Sequence, residues 1–343
     1  MLGNPTYPTY QVFLALGLSA LIVCVCMPLF IRLMKHEGFG QQIRADGPSR
    51  HLVKQGTPTM GGIVMLVGIV ISSCIQSSRG LSIVLAMAVM LACALLGLLD
   101  DLESVCHKRS LGLTPAQKMA GLIVICVIFC IAATNFVGIS PVIELPGGFK
   151  IDLGILASSF VIAGQTITIY WLYLIFVFLL MAGLSNAVNL TDGLDGLAAG
   201  STLVVMMCMA MVAFLYDEVD LSVFAATIAG ACIGFLWHNS YPASIFMGDT
   251  GSLALGGAFA ALAVLTKTEV TSLIMGGLFV IEAMSVIIQV LSYHFFKRRV
   301  FLMAPIHHHF EKCGWGETKV VIRFWIISAA FAALGFALYF QLR

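Results

Sequence analysis

The sequence predicts an all-α integral membrane protein of about ten transmembrane helices, with a small β-hairpin on the outer side near 142–153. Of the 343 residues 60% are hydrophobic and only 10% charged, where a soluble domain carries about one quarter charged residues. Mean hydropathy is +1.01. Several apolar stretches reach the roughly 20 residues that cross a hydrocarbon core, and backbone groups that find no water there must pair within a helix.

Along the chain, spans are expected at 11–33, 61–76, 81–99, 119–137, 170–188, 197–215, 222–237, 251–266, 271–295 and 321–340. The first is longer than a cleaved signal peptide, and Arg32 and Lys35 follow it rather than precede it. Connection 138–169 holds two short alternating runs, Val142–Leu145 and Phe149–Leu153, around Pro146-Gly147-Gly148, which is the pattern of a hairpin. No internal repeat or low-complexity tract divides the chain, so residues 1–343 form one membrane domain.

Alternating the connections sorts the 18 Lys and Arg. One side receives Arg32, Lys35, Arg44, Arg50, Lys54, Lys108, Arg109, Lys118, Lys297, Arg298, Arg299, Lys312, Lys319 and Arg323; the other receives Arg79, Lys150, Lys267 and Arg343. By the positive-inside rule the richer side is cytoplasmic, and an even number of spans puts both termini outside. Net charge of +1, with no groove-reading motif, gives no reason to expect a nucleic-acid partner. Eight of the ten cysteines lie in apolar stretches and no CxxC pair occurs, so disulfides and zinc are not expected.

The alternation was set by Lys and Arg alone, yet it brings the acidic and histidine motifs to the same side. Asp100 and Asp101 end the third span, where the helix dipole disfavours carboxylates and the two repel each other, so a positive group should compensate; two solvated carboxylates are the plain alternative. In Asn189-Leu190-Thr191-Asp192-Gly193-Leu194-Asp195-Gly196, Asp192 and Asp195 share a face if the sixth helix begins there. The glycines leave room for a ligand beside a helix N-terminus, a natural phosphate site; simple capping would explain one of these residues. Asp249 stands in a glycine-flanked turn before the eighth span, where a lone Asp is commonly an N-cap. Five aspartates on one face at a membrane boundary fit a Mg²⁺–phosphate site better than five separate caps, because Mg²⁺ takes one or two protein carboxylates and leaves the rest to water or phosphate.

His307-His308-His309 is internal, and three consecutive side chains cannot face one point; one or two of them are expected to act on phosphate oxygens. Phe246 reads as a membrane anchor or as a platform for a base. Glu282 and Gln289, seven apart in the ninth span, share a helix face that should look into the bundle, for a helix–helix hydrogen bond or for substrate.

The segments Gly56-Thr57-Pro58-Thr59-Met60-Gly61-Gly62, Leu99-Asp100-Asp101, Asn186–Ala198, Phe246–Leu255 and Met303–Phe310, in that order, resemble the phospho-N-acetylmuramoyl-pentapeptide transferase family, from about residue 28 to the end. The resemblance implies a Mg²⁺-dependent enzyme of the bacterial inner membrane. It would join undecaprenyl phosphate to the phospho-sugar of UDP-N-acetylmuramoyl-pentapeptide, releasing UMP and forming lipid I, the first membrane step of cell-wall synthesis. It implies further that Asp249 ligates Mg²⁺, with Asp100 and Asp101 beside it near the lipid phosphate. The uridine end would lie among Lys54, Thr59, Asn189, Asp192, Gly193, Asp195, Phe246 and Gly248, with Phe246 stacked on uracil. Lys118 joins the substrate-binding set, Gln289 and His308 the sugar–peptide side, and His307, His308 and His309 the catalytic set. A homodimer is compatible with this reading. The chain departs from the family pattern at His238, where an aromatic is expected before Asn239.

Two other activities are set against this expectation. A related transferase would load a simple N-acetylhexosamine phosphate from its UDP-sugar onto a polyprenyl phosphate, and Ala304–Phe310 argues against it. An ion-coupled transporter would carry its carboxylates near the bilayer midplane, usually in repeated halves, whereas these stand at span ends.

Overall fold

The computed structural model describes residues 9–37, 56–106, 112–162 and 164–340; Arg44, Arg50, Lys54, Lys108, Arg109 and Arg343 lie outside them. The helices are α1 Thr9–Glu37, α2 Gly62–Gln76, α3 Leu81–Cys106, α4 Pro115–Ala132, α5 Trp171–Thr191, α6 Leu197–Leu215, α7 Val219–Asn239, α8 Gly248–Leu265, α9 Glu269–Met275, α10 Gly277–Phe296, α11 Ile306–Lys312 and α12 Glu317–Tyr339. Among the described residues nine of these are long and apolar enough to cross a membrane. The 15 residues of α2 rise only about 22 Å. The ten expected spans all correspond to helices, and the architecture is all-α and multi-pass.

The differences in detail have local causes. Helix α3 continues two turns past Leu99 because its terminal carboxylates have partners, described below. Helix α4 begins early, at Pro115, on a capping box: Thr114 Oγ1 accepts from the Gln117 N–H while Gln117 Oε1 accepts from the Thr114 N–H. The single span expected at 271–295 is broken at Gly276 into α9 and α10. A Cβ at Gly276 would press on Phe259 and one at Gly277 on Phe331, so close packing selects the residues that hold a helix together least well.

Four strands lie between α4 and α5. β1 Val142–Glu144 pairs antiparallel with β2 Lys150–Asp152, Ile143 opposite Ile151, which is the expected hairpin. A second hairpin, β3 Ala157–Ile162 with β4 Gln165–Tyr170, was not anticipated. Its signal is the alternation Thr166-Ile167-Thr168-Ile169 after Gly164.

Helix α8 is the central element, packed against α2, α3 and α5. Of its most apolar window 89% is buried, against 22% in α1 and α10. It is reached at backbone distance: a Cβ at Gly97 of α3 would meet the Asp249 carbonyl, and a Cβ at Gly256 would meet the α5 backbone at Leu184 and Ser185. Small residues at such crossings let helices approach where lipid supplies no hydrophobic drive. A second, smaller core joins Leu194, Leu197, Leu278, Val320, Val321 and Phe324, with Ile306 and Phe310 packed on it. It ties the 192–196 turn to α10, α11 and α12 at the end of the bundle that carries the acidic motifs.

Candidate active site

The site is built where α3, α4, α5 and α8 meet. Lys118, in the first turn of α4, places its ammonium between two carboxylates, 3.0 Å from Asp100 Oδ2 and 2.7 Å from Asp249 Oδ2. Asn189 Nδ2, near the end of α5, donates to Asp249 Oδ1 and to Ser252 Oγ, both at 2.8 Å. Asp100 Oδ1 accepts from the Leu113 N–H at 2.6 Å. The side chains of Lys118 and Asp249 are 23% and 25% exposed, so both are within reach of a ligand, while Asp100 is nearly closed off at 9%.

The positive partner demanded by two adjacent carboxylates is thus supplied twice, from different sources. Asp100 has the Lys118 ammonium. Asp101 has the N-terminus of α8: its Oδ1 accepts from the Asp249 N–H at 3.0 Å, and its Oδ2 from the Thr250 N–H at 2.9 Å and the Thr250 hydroxyl at 2.6 Å. It caps α8 from another helix, in the place where a carboxylate is favoured by the dipole. Asp249 itself therefore stands inside the first turn of α8 and keeps its carboxylate for other partners. Gly248, with φ of 76°, takes the left-handed conformation that glycine adopts most readily, and a Cβ there would run into Asp101 and Thr59.

The loop before α2 is stitched to the same place. The Phe246 N–H donates to the Pro58 carbonyl at 2.8 Å, and the Gly61 and Gly62 N–H groups donate to the Phe246 and Met247 carbonyls, each at 2.9 Å. This brings buried Thr59 beside Gly248 and leaves the Phe246 ring half-buried. Lys54 lies outside the described residues.

Residues 192–196 do not open a helix, as the face-sharing argument assumed; they form a turn, and α6 starts only at Leu197. Gly196, with φ of 78°, breaks the helical path, and its N–H goes to Asn239 Oδ1 at 3.0 Å. Asp192 and Asp195 consequently diverge. Asp195 is buried: its Oδ2 accepts from the Ala243 N–H and its own N–H donates to Glu317 Oε1, both at 3.0 Å. Burial, then the carboxylates of Asp249, Asp101 and Asp195, holds the Asp192 carboxyl well above the usual carboxylate range. The space at Gly193 is taken by the His307 imidazole rather than left for a ligand.

The three histidines lie on α11, not in a loop, and at helical spacing they part. His307 Nδ1 is 3.0 Å from Glu282 Oε2, His308 Nδ1 is 2.7 Å from Glu311 Oε2, and His309 Nδ1 accepts from the Leu302 N–H at 3.1 Å. Gln289 binds the segment after α10: its Oε1 accepts from the Val300 and Phe301 N–H groups and its Nε2 donates to the Phe301 carbonyl. It also lines two adjoining cavities of about 490 and 370 Å³, which share Val290 and Arg299. The cap by Asp101, the bridge by Lys118 and the Glu282–His307 pair carry no sequence signal, since each joins residues from separate helices.

Among the described residues no three or more His, Cys, Asp or Glu side chains are gathered to cage a metal. The donor set nevertheless suits a hard divalent cation that keeps most of its own water or borrows phosphate oxygens. Asp249 offers carboxylate oxygen at a partly exposed position, and an ammonium already stands between it and Asp100 where positive charge is needed.

A multi-pass helical bundle with this cluster at one end defines a membrane-embedded transferase: the family model for glycosyl transferase family 4 matches residues 81–267, which include Asp100, Lys118, Asn189, Asp192 and Asp249. Curated relatives are similar over nearly the whole chain. The phospho-N-acetylmuramoyl-pentapeptide-transferase of Rubrobacter xylanophilus is 42% identical across 96% of this chain and 98% of its own. Those of Desulfitobacterium hafniense and Geobacillus kaustophilus are 45% and 44% identical, each over 96% of this chain and 98% of their own. The chain belongs to the phospho-N-acetylmuramoyl-pentapeptide transferase family.

Proposed function

We propose that the protein transfers phospho-N-acetylmuramoyl-pentapeptide from its UDP carrier to undecaprenyl phosphate, giving lipid I and UMP in peptidoglycan synthesis. The observation that carries this reading is the Asp100–Lys118–Asp249–Asn189 cluster, drawn from four helices and partly open to ligand. The split of 14 to 4 in Lys and Arg sets this end toward the cytoplasm and both termini toward the periplasm of a bacterial inner membrane.

The physical problem is to bring two anionic phosphates together. Mg²⁺ held by Asp249 would supply Lewis-acid neutralisation of the diphosphate and the departing UMP, an effect of several kcal/mol. Asn189 and Lys118 hold the two oxygens of Asp249 in place, so the carboxylate is oriented before substrate arrives. Asp100, itself nearly closed off, positions the Lys118 ammonium for the lipid phosphate, and Lys118 keeps the two carboxylates from repelling the incoming charge. The lipid phosphate attacks the β-phosphorus directly and UMP leaves. Because a phosphate monoester loses its second proton near pH 6, positioning and charge neutralisation carry more of the rate than proton removal. Thr59, Asp192 and Phe246 border the uridine end, with the Phe246 ring free to stack.

The test is UMP release by purified protein with both substrates and Mg²⁺. Asp249→Ala should lower turnover at least about 10³-fold, the equivalent of about 4 kcal/mol; unimpaired turnover would remove the metal assignment. Comparison with UDP-N-acetylglucosamine separates this reading from the simpler transferase, which would release UMP from that nucleotide equally well. Failure to trap a phosphorylated enzyme in a single turnover supports direct attack over an aspartyl-phosphate route.

A further inference from the structure

Glu282 of α10 and His307 of α11 are both fully buried and share one hydrogen bond, Nδ1 to Oε2 at 3.0 Å. Each keeps one polar atom without a partner, His307 Nε2 and Glu282 Oε1. Buried polar atoms are nearly always satisfied, so an orphan on each side of one bond asks for an explanation. The direction of the ring supplies it. Nδ1 meets the carboxylate, so Nε2, on the other side of the ring, is turned away from Glu282. It abuts Gly193, at the centre of the Asp192–Asp195 turn, so closely that a Cβ there would collide with it. The turn is also held to α10 and α11 by the small core, which contains Leu194 and Leu278 and has Ile306 packed on it. His308 and His309, by contrast, are tied within their own neighbourhood, to Glu311 and to the Leu302 N–H.

We propose that Glu282 is a positioning residue: through His307 it sets the Asp192–Asp195 turn at the distance from α10 and α11 that the transfer reaction requires. The inference rests on the transferase reading above. The carboxylate fixes the plane of the ring, as partners behind a functional imidazole do elsewhere. The imidazole occupies the volume that any residue larger than glycine would claim at 193. Loss of a merely structural carboxylate would leave the kcat of the folded protein intact, although it strips a buried imidazole of its one partner and lowers Tm. Loss of a positioning carboxylate would not.

That contrast is the experiment. Glu282→Leu should fold with a lowered Tm in detergent, because His307 Nδ1 loses its partner, and the folded protein should release UMP with kcat lowered 10- to 100-fold, the range typical of lost outer-shell partners. KM for the UDP-linked substrate should stay within about threefold. Glu282→Gln keeps an oxygen that can accept from Nδ1 and should recover most of the rate. Gly193→Ala, which displaces the ring from the other side, should lower kcat as well, and the double variant Glu282→Leu/Gly193→Ala should lose no more than the worse single one, since both act on one contact. Glu282→Leu at full kcat, or losses that multiply in the double variant, would overturn the proposal while leaving the transferase standing. A natural protein that releases no UMP at all would fail the transferase reading first, and this inference with it.

Discussion

The bundle carries a lysine–carboxylate assembly at each end, and the two are built on different principles. At the end that carries the hairpins Lys267 meets Glu269 at 2.6 Å, Tyr173 donates to the same oxygen at 2.9 Å, and Lys267 also donates to the Ser140 carbonyl. One cation faces one carboxylate there, the carboxylate wholly buried and the lysine 11% exposed. At the opposite end a single ammonium stands between two carboxylates, with Asp101 beside them on the Asp249 N–H, and both Lys118 and Asp249 are open to ligand. The assembly at the hairpin end pairs one cation with one carboxylate and is closed to ligand, although Glu269 Oε2 is left without a partner. The one at the acidic end sets two carboxylates against one ammonium, which is the condition for recruiting a further cation.

Exchanging each lysine for methionine breaks the comparison most sharply. Lys267→Met leaves a carboxylate buried without its counter-charge and should cost about 3–5 kcal/mol of stability, read as a fall in Tm, with the kcat of UMP release within twofold of the natural protein. Lys118→Met should do the reverse. Its kcat is expected to fall about 100-fold, the equivalent of about 2.7 kcal/mol, with Tm nearly unchanged because the cluster is partly solvated. If both variants lost stability and neither lost turnover, the distinction between the two ends would be gone.

A finer probe is Asp101→Asn, which puts an amide where two N–H groups and a hydroxyl seek an acceptor. It should lower stability by about 1–2 kcal/mol, measured by thermal unfolding in detergent. The smallest expected effect concerns Asp192 and depends on pH. A carboxyl raised above its ordinary value stabilises the fold while protonated; that contribution is complete below about pH 4 and is lost as pH rises through the raised value. Asp192→Asn should therefore raise Tm by a few degrees at pH 8 and leave it unchanged near pH 4. A gain that is the same at both pH values would show that carboxylate repulsion is not its cause.

How much of this was legible beforehand differs between fold and site. Helix positions were readable because hydropathy is a sum over neighbouring residues, and α6 falls on Leu197–Leu215 as expected. The gathering of Asp100, Asp192, Asp249 and the histidines at one end followed from counting crossings. Directions of side chains did not follow. Asp192 and Asp195 were expected to share a face if the sixth helix began there, but α6 begins only at Leu197 and Asp195 turns to the Ala243 N–H.

The amino-acid sequence by itself determined that this chain lives in a membrane, where it crosses, and which end carries the chemistry. These depend on composition and charge along a stretch of chain, and the bilayer acts on each stretch separately. Only the tertiary structure decided that Asp101 caps a helix 148 residues away, that Lys118 serves two carboxylates, and that Gly193 is small for the sake of His307. Such contacts are made by helix ends that meet only after every helix has packed, at the close approach that Gly97 and Gly256 allow against α8 and α5.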